Sequence, residues 1–241
     1  MSEHSYRILV TTSNNYLPIL RVSSWLVNKY WSPLPTVLVA GFNPPEFDLP
    51  SNYSFLSLGD QKDYPFNLWS NALIKLLHTI DDEVYILFLD DYLPVRYVDT
   101  RNIGILVDYA YQFGYILKID ICCDRLYAFG ADTNFDYVAH IDLIKSQPGS
   151  PYHSSLYPGI WRKDNMLRTL IKNESPHDYE LIGTTRVSHI QDLVVLGTRN
   201  YPLKIALGLR GGESGKLNLS ELQPQDAEEL HDLGYLKPWD K

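Results

Sequence analysis

Cysteine is nearly absent from these 241 residues: there are two, Cys122 and Cys123, side by side. Adjacent strand residues point to opposite faces, so the two are poorly placed to pair with each other. No Cys-x-x-Cys or Cys/His spacing offers a zinc site, and the pair reads as free thiols in a reducing compartment. Basic residues are outnumbered. Lys and Arg total 21 against 29 Asp and Glu, a net charge of −8. No Lys/Arg-rich run appears, so the phosphate attraction that dominates nucleic-acid binding is missing, and a nucleic-acid acceptor is disfavoured. Also lacking is any run of about 20 apolar residues or a secretory leader, which excludes a membrane-spanning helix and points to the cytoplasm. The sequons at Asn52, Asn173 and Asn218 then read as chance. There is no internal repeat, no low-complexity tract and no Gly-x-Ser-x-Gly elbow. Gly211-Gly212-Glu213-Ser214-Gly215-Lys216-Leu217 is an imperfect phosphate loop: Arg210 stands where the first Gly belongs, and Leu217 replaces the Ser or Thr after the Lys. It reads as a loop able to close over a ligand.

What is present is ordinary globular chemistry, 45% hydrophobic and 21% charged, with Tyr enriched at 18 residues. The length suits one domain over 1–241. Tyr6 to Thr11, Thr36 to Ala40, Tyr53 to Leu58, Val84 to Leu89 and Tyr115 to Cys122 read as strands. Between them, Ile19, Val22, Leu26 and Tyr30 share one helix face, as do Phe66, Trp69, Leu73, Leu76, Leu77 and Ile80 after Pro65. A third helix follows Asp99 as cap. Strands alternating with helices predict an α/β fold with a mostly parallel, covered central sheet. The second half is less periodic: one short strand near Tyr137 to Leu143, a helix over Ile160 to Ile171, a short helix from Ser175-Pro176 closed by Gly183, and a last helix from Gln223 to Leu233.

The strongest local feature is Leu89-Asp90-Asp91-Tyr92. Val84 to Leu89 is apolar on both faces, as in the middle of a covered sheet, and it runs straight into two acids. Ligands of open α/β sheets bind outside the carboxyl ends of the strands. Adjacent carboxylates repel, and a hard divalent cation shared with a diphosphate relieves them. The alternative is an acid pair that merely ends the strand.

This strand, the helix Trp69-Ser70-Asn71-Ala72-Leu73 before it, Ser155-Leu156-Tyr157-Pro158-Gly159-Ile160-Trp161-Arg162-Lys163, and Ser175-Pro176-His177-Asp178-Tyr179-Glu180 together resemble GT-A fold glycosyltransferases. They are most similar to family-two-like enzymes of bacterial and phage polysaccharide clusters, over roughly residues 6 to 185. The resemblance implies a Rossmann-like GT-A domain. Its nucleotide-sugar-binding half would be 1–125 and its acceptor-binding half 126–241. It implies transfer of a sugar from a UDP- or GDP-type donor to a saccharide or other hydroxyl acceptor with Mn²⁺ or Mg²⁺. Asp90 would then hold the donor and metal, with Asp91 the direct metal ligand and His189 a further one. Thr11, Thr12 and Asn14 would face the nucleoside, Asp60 the base or ribose, and Asn71 the diphosphate; the alternatives are plain turn chemistry for Thr11 to Asn14 and for Asp60, and a solvated helix position for Asn71. Trp161 is assigned to the acceptor wall, with core packing as its alternative, and Arg162 to an acceptor or donor phosphate.

An inverting transfer needs a carboxylate to take the acceptor's proton. Glu180 is the expected base and Asp178 the alternate, because Asp178 also completes a helix cap with Ser175. The other readings are a nucleotidyltransferase, whose basic glycine-rich first loop is missing from Thr11-Thr12-Ser13-Asn14-Asn15, and a binding module without catalysis.

Overall fold

The computed structural model describes residues 4–123, 133–210 and 216–239. In chain order it contains β1 (Arg7–Thr11), α1 (Ile19–Tyr30), β2 (Thr36–Gly41), β3 (Tyr53–Ser57), α2 (Trp69–Thr79), β4 (Val84–Leu89), β5 (Tyr92–Pro94), α3 (Thr100–Gln112) and β6 (Ile116–Asp120). Then come β7 (Thr133–Val138), β8 (Ile141–Lys145), β9 (Gly159–Arg162), α4 (Lys163–Thr169), α5 (Pro176–Ser188), β10 (Val194–Thr198), β11 (Ile205–Leu207), β12 (Leu209–Arg210), β13 (Lys216–Leu217) and α6 (Pro224–Asp232).

Nine strands form one sheet in the order β3-β2-β1-β4-β9-β6-β10-β8-β7. Pairing is parallel among the first four and between β6 and β10, while β9 and β8 run against their neighbours. The result is the expected mostly parallel α/β sheet, covered on both faces. Period-two alternation explains the covering. Along β4, Val84, Ile86 and Phe88 join the core that holds Leu20 of α1 and Ile103, Leu106 and Val107 of α3. Tyr85 and Leu87 face the other way, onto Leu73, Leu76 and Leu77 of α2, Met166 of α4 and Tyr179 of α5. The outer side of α1 (Ile19, Val22, Leu26) buries Leu93, Ala206 and Leu230 in a third cluster. There the Tyr30 hydroxyl donates to Asp226 at 2.5 Å and Lys29 pairs with the same carboxylate at 2.8 Å, fastening α6 to α1.

The second half departs from the sequence expectation. Ile160 to Ile171 is not one helix. Gly159–Arg162 is an antiparallel strand wedged between β4 and β6, and only Lys163–Thr169 is helical. Ile160 fills one core face and Trp161 the other, so this short apolar run carries no period that separates strand from helix. The single strand near Tyr137 is a hairpin, β7 with β8, turned at Ala139 with φ 54°. Gly183 does not close α5, which runs on to Ser188; it sits buried where a Cβ would meet the Arg186 guanidinium at 3.2 Å. The strands β10 and β11 are additions the sequence pattern did not reveal. Among the described residues Cys122 and Cys123 form no disulfide. Among the described residues no helix is long and apolar enough to cross a membrane.

Candidate active site

β1, β2, β3 and β4 all end at the same edge of the sheet, and a cavity of about 630 Å³ opens there. Thr11 ends β1, and Thr12 and Ser13 follow it; Phe42 and Leu58 follow β2 and β3; Tyr64, Phe66 and Trp69 lead into α2; Leu89 ends β4, and Asp90 and Asp91 follow it; Pro176 begins α5. The walls are thus aromatic and aliphatic, and the polar groups gather at the β1 and β4 ends. The Ser13 hydroxyl is buried there without a hydrogen-bond partner. Phe42 and Tyr64 stack with ring centroids 5.8 Å apart. No Lys or Arg is among the described residues that line the cavity.

The acid pair dominates its electrostatics. Asp90 is 7% exposed. Burial pushes its carboxyl up to about 8; a hydrogen bond with Thr12 works against this, and the charge of Asp91 adds to it. Burial raises Asp91 as well. Tyr92 has its phenol pushed well above its ordinary range, first by burial and then by the charges of Glu180 and Asp91. Two desolvated oxygen donors, with no cation among the described lining residues, suit a hard divalent ion. Among the described residues no cluster of three or more His, Cys, Asp or Glu is placed to hold a metal.

Glu180 belongs to the same end. It lies four residues after Pro176 on α5, hence on the same helix face as that cavity-lining residue. Its Oε1 accepts the backbone N–H of Leu156 at 2.7 Å. α5 itself is held firmly at its start. The Arg186 guanidinium grips Glu174 with two bonds, of 2.9 and 2.8 Å, and Glu174 exchanges backbone and hydroxyl bonds with Ser70 of α2. Asp178 does what a capping residue does: with Ser175 it forms a reciprocal capping box, and the Ser175 bonds hold its carboxyl below the usual range.

Other expected site residues do not line the cavity. Asn14 is occupied in loop bracing: its N–H donates to Gln61 Oε1 at 2.8 Å and its Oδ1 accepts from Asn43 at 2.9 Å. Asp60 is exposed and caps a short 3-10 turn through the Lys62 N–H; its neighbour Gln61 lines the cavity instead. Asn71 Nδ2 donates to Asn173 Oδ1 at 3.0 Å and Asn71 Oδ1 accepts the Asn173 backbone N–H at 2.9 Å, which ties α2 to the entry of α5. Trp161 is 0% exposed within the core and forms no wall. Arg162 is at the wrong end of the sheet. It pairs with Val84, the first residue of β4, and its guanidinium binds the carbonyls of Ala110 and Tyr111 and the Glu83 carboxylate. His189 is exposed at the far end of α5, with Nδ1 at 2.6 Å from the Thr185 carbonyl. A helix of that length puts it about 20 Å from Pro176, beyond reach of the acid pair. The glycine-rich stretch expected to close over the ligand falls largely in 211–215, outside the described residues.

Sequence reasoning passed over Phe42, Gln61, Tyr64 and Tyr92. It also passed over Lys118 and Asp120 of β6, both buried. The signal for these two was present: two charges inside the apolar run Ile116-Leu117-Lys118-Ile119-Asp120 need a partner.

No family model matches the chain, and no curated protein matches it in sequence. Among solved structures it is similar to CMP:2-keto-3-deoxy-manno-octonic acid synthetase complexed with CTP, at 10% identity over 97% of this chain and 100% of that one, with a TM-score of 0.47. It is similar to an apo UDP-glucose pyrophosphorylase at 10% identity, over 98% and 100% of the two chains, with a TM-score of 0.47. It is also similar to the galactosyltransferase LgtC in complex with donor and acceptor sugar analogues, at 14% identity, over 67% of this chain and 59% of that one, with a TM-score of 0.37. Likenesses this remote do not bear on what this chain does.

Proposed function

We propose that the chain is a metal-dependent GT-A type glycosyltransferase, moving a sugar from a nucleotide-diphosphate donor to an acceptor hydroxyl. One observation carries this reading: Asp90 and Asp91 stand desolvated at the carboxyl end of β4, in an aromatic-walled cavity whose described lining has no basic side chain. A diphosphate enters such a site only with its charge neutralised, and the two carboxylates are hard oxygen donors for Mg²⁺ or Mn²⁺. The bound ion would offset the charge that builds on the departing diphosphate.

The protein's own groups do the rest. Asp91, the more accessible of the two acids, would hold the ion and Asp90 would meet the donor. Thr11, Thr12 and Ser13 meet the nucleoside, and the rings of Phe42 and Tyr64 give its base an apolar wall. Glu180 takes the proton from the acceptor hydroxyl as that oxygen bonds to the anomeric carbon. The anomeric carbon–phosphate oxygen bond breaks, and the nucleoside diphosphate leaves with the electron pair. Nucleotidyl transfer fits less well, because the β1 loop Thr11-Thr12-Ser13-Asn14-Asn15 presents no cation to a triphosphate.

A thermal-shift screen of nucleotide sugars with and without Mn²⁺, followed by donor hydrolysis, tests this. Stabilisation by a UDP- or GDP-sugar that depends on Mn²⁺, with metal-dependent hydrolysis lost in Asp91→Ala, is the expected result. Activity that survives Asp91→Ala rules it out. Binding without any turnover leaves a sugar-nucleotide-binding module in its place.

A further inference from the structure

Two strands away from the acid pair, β6 carries a full charge of each sign into the core. Lys118 is 1% exposed and Asp120 0%. They are two residues apart on one strand, so their side chains share a face, and they form an ion pair. Lys118 Nζ also lies 5.2 Å from the centroid of the Trp161 ring. Gly159 on the neighbouring strand has no Cβ where the Lys118 chain passes, and a Cβ there would collide with it. Buried pairs of this kind add little stability over an apolar pair of the same volume, so what Lys118 holds is the informative question.

It holds the chain segment in front of Glu180. Lys118 Nζ donates to the Ser155 carbonyl at 2.8 Å. The peptide bond that carries this carbonyl also carries the Leu156 N–H, and that N–H donates to Glu180 Oε1 at 2.7 Å. One rigid peptide plane is therefore gripped on its oxygen by a buried ammonium and presents its hydrogen to the carboxylate. A charged donor makes the grip strong and directional. Neighbouring bonds brace the same segment: the Ser154 hydroxyl donates to the Tyr179 carbonyl at 2.7 Å, and the Tyr157 N–H to the Ser155 hydroxyl at 3.1 Å.

We infer that Lys118, balanced by Asp120, is a positioning residue for Glu180, acting through the Ser155–Leu156 peptide to fix the carboxylate oxygen that accepts the Leu156 N–H. The inference rests on the reading of Glu180 as the proton-accepting group, but its structural half can be measured without turnover.

The experiment compares the full-length wild type with Lys118→Met, Lys118→Met/Asp120→Leu and Glu180→Ala. Amide hydrogen exchange at Leu156 is followed by NMR, alongside Mn²⁺–UDP or Mn²⁺–GDP affinity and the kcat and KM of Mn²⁺-dependent donor turnover. The double variant replaces the ion pair by apolar side chains, so it keeps the fold if the single variant loses it. In that double variant Leu156 exchange should rise at least tenfold, toward the value in Glu180→Ala. Its kcat should fall at least tenfold, with nucleotide affinity and donor KM unchanged. Unchanged Leu156 exchange in the double variant, or wild-type kcat in it, overturns the inference. If the wild type turns over no UDP- or GDP-sugar, the sugar-transfer reading fails, and Leu156 exchange alone still decides whether Lys118 positions Glu180.

Discussion

The backbone N–H of Gly208 donates to the carbonyl of Asp91 at 2.6 Å, joining the C-terminal β11–β13 segment to the acid pair. β11 pairs with β5 immediately beside it, Leu207 opposite Tyr92, and the Asn218 N–H returns a bond to the Gly208 carbonyl at 2.7 Å. The position of Asp91 is thus set from two sides: by β4, which delivers it, and by a segment more than a hundred residues later, which clamps it.

Gly208 leaves no room for a side chain. A Cβ there would lie 3.0 Å from the Asp91 carbonyl oxygen and 3.0 Å from a Leu93 methyl. Gly208→Ala should cost about 1–3 kcal/mol of stability through overpacking. It should weaken Mn²⁺-dependent nucleotide binding more than a core substitution of equal stability cost. Denaturant melts and titration calorimetry on the same samples check both.

Asp90 makes stability depend on pH in a defined direction. Its folded value of about 8 is above the ordinary carboxyl value of 3.8. The folded state therefore holds a proton that the unfolded state gives up, and its stabilising effect is full below about pH 4 and lost as pH rises through about 8. Asp90→Asn should flatten the fall in melting temperature across that window and melt above the wild type at pH 8.5. Added Mn²⁺ should raise the wild-type melting temperature more at pH 8 than at pH 5.5, because the ion must displace the proton. A pH series of thermal melts with and without Mn²⁺ decides it.

Asp178 and Glu180 should separate cleanly. Ser175→Ala removes the N-cap and should cost about 0.5–2 kcal/mol, Asp178→Ala should lower the melting temperature, and in both kcat should be reduced no more than the loss of folded protein explains. Glu180→Gln should keep the melting temperature within about 1 kcal/mol equivalent and lower kcat by at least a hundredfold. Paired melts and initial rates distinguish the two patterns.

Trp161 and Arg162 should behave as structure rather than as acceptor contacts. Trp161→Ala opens a fully buried site and should cost about 3–5 kcal/mol. Arg162→Ala loses its bonds to α3 carbonyls and Glu83 and should leave acceptor KM unchanged. His189→Ala should leave Mn²⁺ affinity unchanged. Steady-state kinetics of the soluble variants read out all three.

The N-terminal half was legible because its code is local. Strict apolar runs gave β1, β2 and β4, helical spacing gave α1 and α2, and Asp99 capped α3 as expected through the Asn102 N–H. The break from apolar to Asp90-Asp91 marked the sheet edge where a cavity lies. Pro176 and Asp178 announced a capped helix, and the capping box is there. Trp161 and Ile160 show where this code stops. A four-residue segment apolar on both sides has no period of its own, and whether it pairs with β4 and β6 or coils is decided by partners far along the chain.

Local pattern thus determined that the chain builds a covered α/β sheet and that two acids stand at the end of its most apolar strand. Tertiary structure alone decided which other groups join them. It sent Arg162 to the opposite end because β9 runs antiparallel, and left His189 a helix length away. It used Asn71 to bind Asn173 and brought Glu180, Gly208 and the peptide held by Lys118 to the same end. The physical reason is that a strand or a cap is specified by neighbours a few residues apart, whereas a site is an intersection of elements, fixed only when strand order and direction are known.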